Sequence, residues 1–156
     1  MDFAIAYDAA LGAHDIVLSG GGLVPDSTLG TAVGLSLFVD RRADLDQVEG
    51  DETFGQADPR GWFGDAFQAQ AGDAYGSHLW LYQRAKLTPD TLGQIRSVFI
   101  ESLQWLIDRG IAREVDVAVE KRATGRIDVS VTVWRQAETP VEYRYVWDAL
   151  EGSVSG

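Results

Sequence analysis

The longest regular signal along the chain runs from Thr88 to Gly110, where Leu92, Ile95, Phe99, Leu103 and Leu106 recur at steps of three and four. That spacing places the apolar side chains on one stripe and predicts an amphipathic helix with one buried face. Its ends are marked as well. Thr88 is a suitable N-cap, and Pro89 falls at the first helical position, where its missing N–H costs nothing. Asp90 in the first turn complements the helix dipole, and Gly110 follows Arg109 where a helix ends in a left-handed residue.

Beyond Gly110 the period drops to two. Val115, Val117 and Val119 alternate with Glu114, Asp116 and Ala118, and Ile127, Val129, Val131 and Val133 alternate with Asp128, Ser130 and Thr132. Val141, Tyr143, Tyr145 and Trp147 form a third such run. Each predicts a strand with one apolar face. The links "KRATGR" and "QAETP" are short enough for hairpins, so an antiparallel three-strand meander is expected, with the long helix on its valine face.

The N-terminal part is less regular. Phe3, Ile5 and Tyr7 in "FAIAY" alternate as in a strand, and "HDIVLSGGGLVPD" reads as two short apolar pieces around a glycine bend at Gly20–Gly22. A phosphate loop does not fit that triplet, because no Lys-Ser/Thr follows it. In "STLGTAVGLSLFV" (27–39), Leu29, Val33 and Leu37 fit a helical stripe that Asp26, Ser27 or Thr28 would cap. Gly30 and Gly34 weaken a helix by about 1 kcal/mol each against alanine, so a strand remains open there. The charged stretch "DRRADLDQVEGDE" then reads as a mobile loop. A length of 156 residues with no internal repeat or linker fits one α+β domain over 1–150, followed by a flexible tail, "EGSVSG", at 151–156. The fold expected is the helix-packed antiparallel sheet with an N-terminal β/helical part and irregular loops.

Composition narrows the chemistry. There is no cysteine, which removes disulfides, thiolate nucleophiles and Cys-based metal sites. A net charge of −11 argues against phosphate-backbone binding, so no nucleic-acid partner is expected, although an acidic DNA mimic is a weak alternative. No run approaches the roughly 18 apolar residues of a membrane span, and the N-terminus lacks the basic start of a signal peptide. His14 and His78 have no metal-ligand spacing, and Ser77 beside His78 does not make a triad. The carboxylates Asp40, Asp44, Asp46, Glu49, Asp51 and Glu52 lie in the charged loop, without the rigid facing pair that glycoside hydrolysis requires. No cofactor, metal site or catalytic residue is expected.

One segment stands apart. "DPRGWFGDAF" (58–67) has neither period, yet carries Arg60, two glycines and three aromatic residues. Trp62 and Trp80, with Phe63 and Phe67, form an aromatic set near Arg60 and Arg84, suited to a protein interface or a second small core. Trp105 and Trp134 read as core or packed edges, and Trp147 as a partial cover for the sheet.

Taken in order, "SLFVDRRAD", "DPRGWFGDAF" and "GSHLWLYQRAKLTPDTL" resemble the small baseplate wedge proteins of Mu-like contractile-tailed phages. These are relatives of a T-even wedge protein once described as a tail lysozyme. The resemblance covers roughly residues 27–148 and rests on R-G-W-[WF]-G-D and G-S-x-L-W-L, with Phe63 where many members have a second tryptophan. It implies a non-enzymatic structural protein of the virion tail baseplate, made in the host cytoplasm and built into a symmetric assembly. Its implied partners are other wedge subunits and the tail sheath protein, the latter met by strand addition at an open sheet edge. By position, Asp40, Arg41 and Arg42 correspond to the family's charged contact motif, although the Glu-Pro-Arg or Gly-Glu-Arg form is absent. Arg60, Gly61, Trp62, Gly64, Asp65 and Trp80 complete the implied partner-binding set. On this reading the 58–67 stretch is a structured interface loop, and an internal Arg–Asp clamp is its alternative. A peptidoglycan-degrading enzyme is the rival function.

Overall fold

The computed structural model describes residues 3–8, 13–26, 28–44, 60–61, 65, 75–135 and 139–155. Trp62, Phe63, Gly64, Phe67 and the carboxylates at 46–52 lie outside the described residues. Four short strands come first: β1 (Ile5–Asp8), β2 (Ala13–Ile16), β3 (Leu18–Ser19) and β4 (Gly22–Leu23). β1 pairs antiparallel with β2 through Ile5↔Ile16, and β3 pairs with β4 across Gly20 and Gly21, so the glycine bend is a hairpin turn. The Thr31 hydroxyl donates to the Phe3 carbonyl (2.8 Å) and accepts from the Ile5 amide (3.2 Å), tying this part to the helix that follows.

The stretch left open between helix and strand is a helix, α1 (Gly30–Phe38). Its first turn is capped from outside, since Leu29 itself offers no side-chain acceptor. Asp26 accepts the Thr31 amide through one oxygen and the Thr28 amide through the other, each at 2.7 Å, and the Thr28 hydroxyl accepts the Gly30 amide. The glycines that obscured the helix face the sheet at ordinary van der Waals distances. A Cβ at Gly34 would sit 3.7 Å from the Tyr145 hydroxyl and one at Gly30 3.4 Å from the Tyr143 ring. Val33 and Leu37 are fully buried, as the stripe predicts.

The long helix, α2 (Pro89–Asp108), begins as expected, with the Thr88 hydroxyl accepting the Thr91 amide at 3.2 Å. Past its end, the Ile111 and Ala112 amides both turn back to the Leu106 carbonyl at 2.9 Å. Ile95, Phe99, Leu103 and Leu106 are buried, each side chain worth about 1.5–3 kcal/mol of apolar burial.

The C-terminal sheet has four strands in the order β5 (Glu114–Ala123), β6 (Arg126–Trp134), β7 (Val141–Asp148) and β8 (Ser153–Ser155), all antiparallel. The register aligns Val117↔Val131, Val129↔Tyr145 and Ile127↔Trp147, so valines and aromatics share the face under α1 and α2. The opposite face is polar and carries surface ion pairs such as Arg122–Asp128 (3.2 Å) and Arg126–Asp148 (2.8 Å). Two expectations change. Trp147 is 2% exposed and belongs to the core rather than half-covering it. The expected tail supplies a fourth strand, because Val154 pairs opposite Trp147 and extends the apolar face by one residue.

Candidate functional site

At the C-terminal end of α1 the backbone turns extended at Val39, and residues 40–44 leave the helix. Ser77 locks that segment by a parallel bridge to Asp40: the Ser77 amide donates to the Val39 carbonyl and the Arg41 amide to the Ser77 carbonyl, both at 2.9 Å. The two backbones approach so closely that only glycine fits at position 76. Gly76 has φ +89°, and a Cβ there would come within 2.8 Å of the Val39 carbonyl carbon and nearer still to its oxygen. The Ser77 hydroxyl donates to the Leu37 carbonyl and accepts the Leu79 amide, which starts the 3-10 turn Leu79–Tyr82. Ser77 is thus a buried structural hydroxyl. His78 meets the Arg42 carbonyl through Nε2 at 3.0 Å.

The 3-10 turn delivers Trp80, 2% exposed, into a small cluster of its own with Ala43 and Leu81. Its indole Nε1 donates to the Arg41 carbonyl at 2.8 Å, satisfying the one polar group the ring would otherwise bury. Over the ring lies the Arg60 guanidinium, 4.6 Å from the centroid, with Nη1 at 2.7 Å from Asp40 Oδ2. Arg60 and Gly61 both have positive φ, 51° and 101°. A Cβ on Gly61 would meet Arg42 Cβ at 2.8 Å, so the chain at 60–61 is pressed against Arg42.

Of the nine residues singled out from the sequence, Asp40, Arg41, Arg42, Arg60, Gly61 and Trp80 therefore form one contiguous frame. Asp65 flanks it, accepting the Tyr75 amide at 3.3 Å beside Gly76. Trp62 and Gly64 fall outside the described residues. Arg84, grouped with this set in the sequence, sends its amide to the Ala149 carbonyl at 2.7 Å and so braces the end of β7. Ser77, Gly76 and Ala43 complete the frame without a signal in composition. The G-S-x-L-W-L match contains Gly76 and Ser77 but does not say what they touch. The Arg41 guanidinium reaches α2 at Glu101 (3.3 Å), and Arg42 is exposed.

At 2% exposure the Trp80 indole is the second small core, one of the two readings open to the aromatic set, and offers no surface to a partner. What the frame shows to solvent is the partly exposed Arg60 and Asp40 side chains and the exposed Arg42. No group of three His, Asp or Glu side chains among the described residues is placed to hold a metal ion. Among the described residues, the two carboxyls that shift, Asp26 and Asp148, are held low. Burial works to raise Asp26, but the Thr31 and Thr28 amides and the Thr28 hydroxyl outweigh it and keep the carboxyl below its ordinary value. The Arg126 guanidinium, with the Leu150 and Glu151 amides, does the same for Asp148. A glycosidase acid needs the opposite shift.

A family model described as "Phage protein GP46" matches residues 29–140, which contain α1, the whole frame, α2, β5 and β6. The chain is 34% identical to the baseplate protein gp46 of Escherichia phage Mu over 152 residues, 96% of this chain and 99% of that protein. It is 38% identical to the Mu-like prophage FluMu protein gp46 of Haemophilus influenzae over 106 residues, 68% of this chain and 67% of the other.

Proposed function

The chain belongs to the phage protein GP46 family, and from that premise we propose that it is a structural component of a phage tail baseplate that works by protein–protein assembly. The near full-length match to a baseplate protein carries the reading. Asp40, Arg42 and Arg60, held over the buried Trp80, supply a surface on which assembly can act. Side chains that a partner must find in one orientation are here fixed in advance by backbone contacts, which lowers the ordering cost of association. The finer reading is a wedge protein of a contractile tail. In it, residues 40–42 and 60–65 meet neighbouring wedge subunits, and a sheet edge meets the sheath. Its location is then the tail of the virion. No helix among the described residues is long and apolar enough to cross a membrane. The cell-wall hydrolase reading gains no support from the relatives, which are described as a baseplate protein and phage gp46 proteins.

The test is a pull-down from a lysate producing tail particles, comparing the wild type with an Arg60→Ala, Trp62→Ala double variant whose fold is verified. Capture of baseplate proteins by the wild type alone supports the frame as the contact. Equal capture by both moves the contact elsewhere, and capture by neither overturns the assembly reading.

A further inference from the structure

The two N-terminal hairpins have no core of their own. The Ala4 amide donates to the Val24 carbonyl (2.7 Å) and the Val17 amide to the Ala4 carbonyl (2.9 Å), which joins them into one unit. Yet none of the residues whose burial is described between Phe3 and Asp26 is buried. Two-stranded hairpins are marginal in water unless they pack on something. The register sets Ile5 opposite Ile16, Leu18 opposite Leu23 and Phe3 opposite Pro25, and strand alternation turns these six to one side. Among the described residues six large apolar side chains are exposed, and four of them are on this side: Phe3 (43%), Ile16 (48%), Leu18 (70%) and Leu23 (46%). A concentration of that kind marks a contact surface rather than scattered surface leucines.

Beside it runs a groove of about 430 Å³, lined by Phe3, Ile5 and Ile16 from the hairpins, Ala32 and Leu35 from α1 and Trp105 from α2. Two of its polar groups are already spent. The Thr31 hydroxyl is committed to Phe3 and Ile5, and Trp105 Nε1 donates to the Ser36 hydroxyl at 3.0 Å. A polar small molecule gains nothing from either, whereas apolar side chains lose nothing. Charge then selects among apolar partners. Residues 1–40 contain five aspartates and no lysine or arginine. Asp8 and Asp15 alternate onto the other side of the hairpins, Asp26 ends the unit at α1, and Arg109 is stacked over Trp105 at 5.5 Å. We propose that the groove and the Leu18–Leu23 pair dock a basic amphipathic helix of a partner protein. Its apolar stripe lies on Phe3, Ile16, Leu18 and Leu23, and its lysine or arginine flanks meet the aspartates. The hairpins present side chains to the groove, not backbone, so an incoming strand has no ladder to join there. A second copy is a poorer occupant, because pairing two such units brings aspartates together in chains of net charge −11. This extends the assembly reading above to a second surface, built from other residues than the frame around Trp80.

The test uses the full chain and a synthetic helical peptide with leucine along one face and lysine on the other. One control replaces lysine by glutamate. A second scrambles the leucine–lysine peptide, keeping its charge and removing its apolar face. Binding is read by fluorescence anisotropy and located by amide hydrogen exchange. The lysine peptide should bind about tenfold more tightly than either control, and its margin over the glutamate peptide should narrow as salt rises to about 1 M. Protection should appear in the hairpins. Leu18→Ser with Leu23→Ser, both at exposed positions, should weaken the lysine peptide about tenfold. Leu150→Ser, an exposed leucine over the turn at Gly125, should leave it unchanged. No binding of the lysine peptide, equal binding of either control, protection away from the hairpins, or no loss in the leucine-pair variant would overturn the proposal. Self-association of the wild type that the leucine-pair variant abolishes would do so as well, by assigning the face to a second copy. These variants leave the frame intact, so their failure counts against this surface alone, and a failed pull-down with intact peptide binding counts against the assembly reading alone.

Discussion

Replacing Gly76 by alanine tests whether the frame around Trp80 depends on backbone proximity. At φ +89° an L-residue is strained by about 1–2 kcal/mol. The added methyl also points at the Val39 carbonyl, a backbone group fixed between α1 and the Asp40 bridge, so the neighbour cannot yield by changing rotamer. Relief requires the 76–77 segment to move off Val39, which breaks one or both bridge hydrogen bonds, each worth about 0.5–1.5 kcal/mol. The sum is about 3 kcal/mol, or a fall of roughly 6–12 °C in Tm for a chain of this size. Gly93→Ala is the matched control. It lies on an exposed turn of α2, and a Cβ there meets nothing within 4 Å. Helix propensity predicts a gain of about 1 kcal/mol, so the two substitutions should move Tm in opposite directions. Thermal unfolding followed by circular dichroism reads both. A Gly76→Ala variant within about 1 kcal/mol of wild type would refute the reasoning, because the approach of the two backbones would then be soft.

Two further expectations follow from charges and caps. A double-mutant cycle on Asp40→Ala and Arg60→Ala should give a coupling of about 0.5–1 kcal/mol, since the side chains are 43% and 31% exposed and solvent screens them. The coupling should shrink in 1 M salt, and a value indistinguishable from zero at low salt would remove the ion pair from the account. For Asp26 the folded carboxyl lies below its unfolded value, so the stability it adds is complete above the unfolded pKa and lost as pH falls through the folded one. Asp26→Ala should therefore cost about 0.5–2 kcal/mol near pH 6 and less at acid pH, where the wild-type carboxyl has lost its charge-assisted contribution. Urea midpoints that stay equally far apart at both pH values would contradict that assignment.

The parts of the fold that were legible in the sequence are those where one periodicity runs unbroken. The α2 stripe and the alternating valines of β5 and β6 need no tertiary knowledge, because side-chain direction alone decides what faces the core. α1 was ambiguous because Gly30 and Gly34 lower helix propensity. The tyrosines they face, Tyr143 and Tyr145, lie more than 100 residues downstream, so the packing that makes the segment a helix is not local. β8 was missed because three residues with a single apolar side chain carry no pattern, and its pairing is set by Trp147. The site shows the same division. Residue type and a family resemblance marked out Asp40, Arg60 and Trp80. Their union depends on Gly76 and Ser77, whose role is to hold two backbones together, and such a role leaves no trace in hydrophobicity or charge. Arg60 also acts within the chain as the clamp that was the alternative to an interface residue, and a preorganised interface uses both.

The central claim is that the frame faces a baseplate partner, and the most direct measurement is photo-crosslinking within assembled tail particles. A photoreactive residue at Arg42, exposed and adjoining Arg60–Gly61, should crosslink to a second baseplate protein, while the same residue at Gly93 on the outer turn of α2 should not. Crosslinks from position 93 with none from position 42, or particles that assemble without the protein, would contradict it.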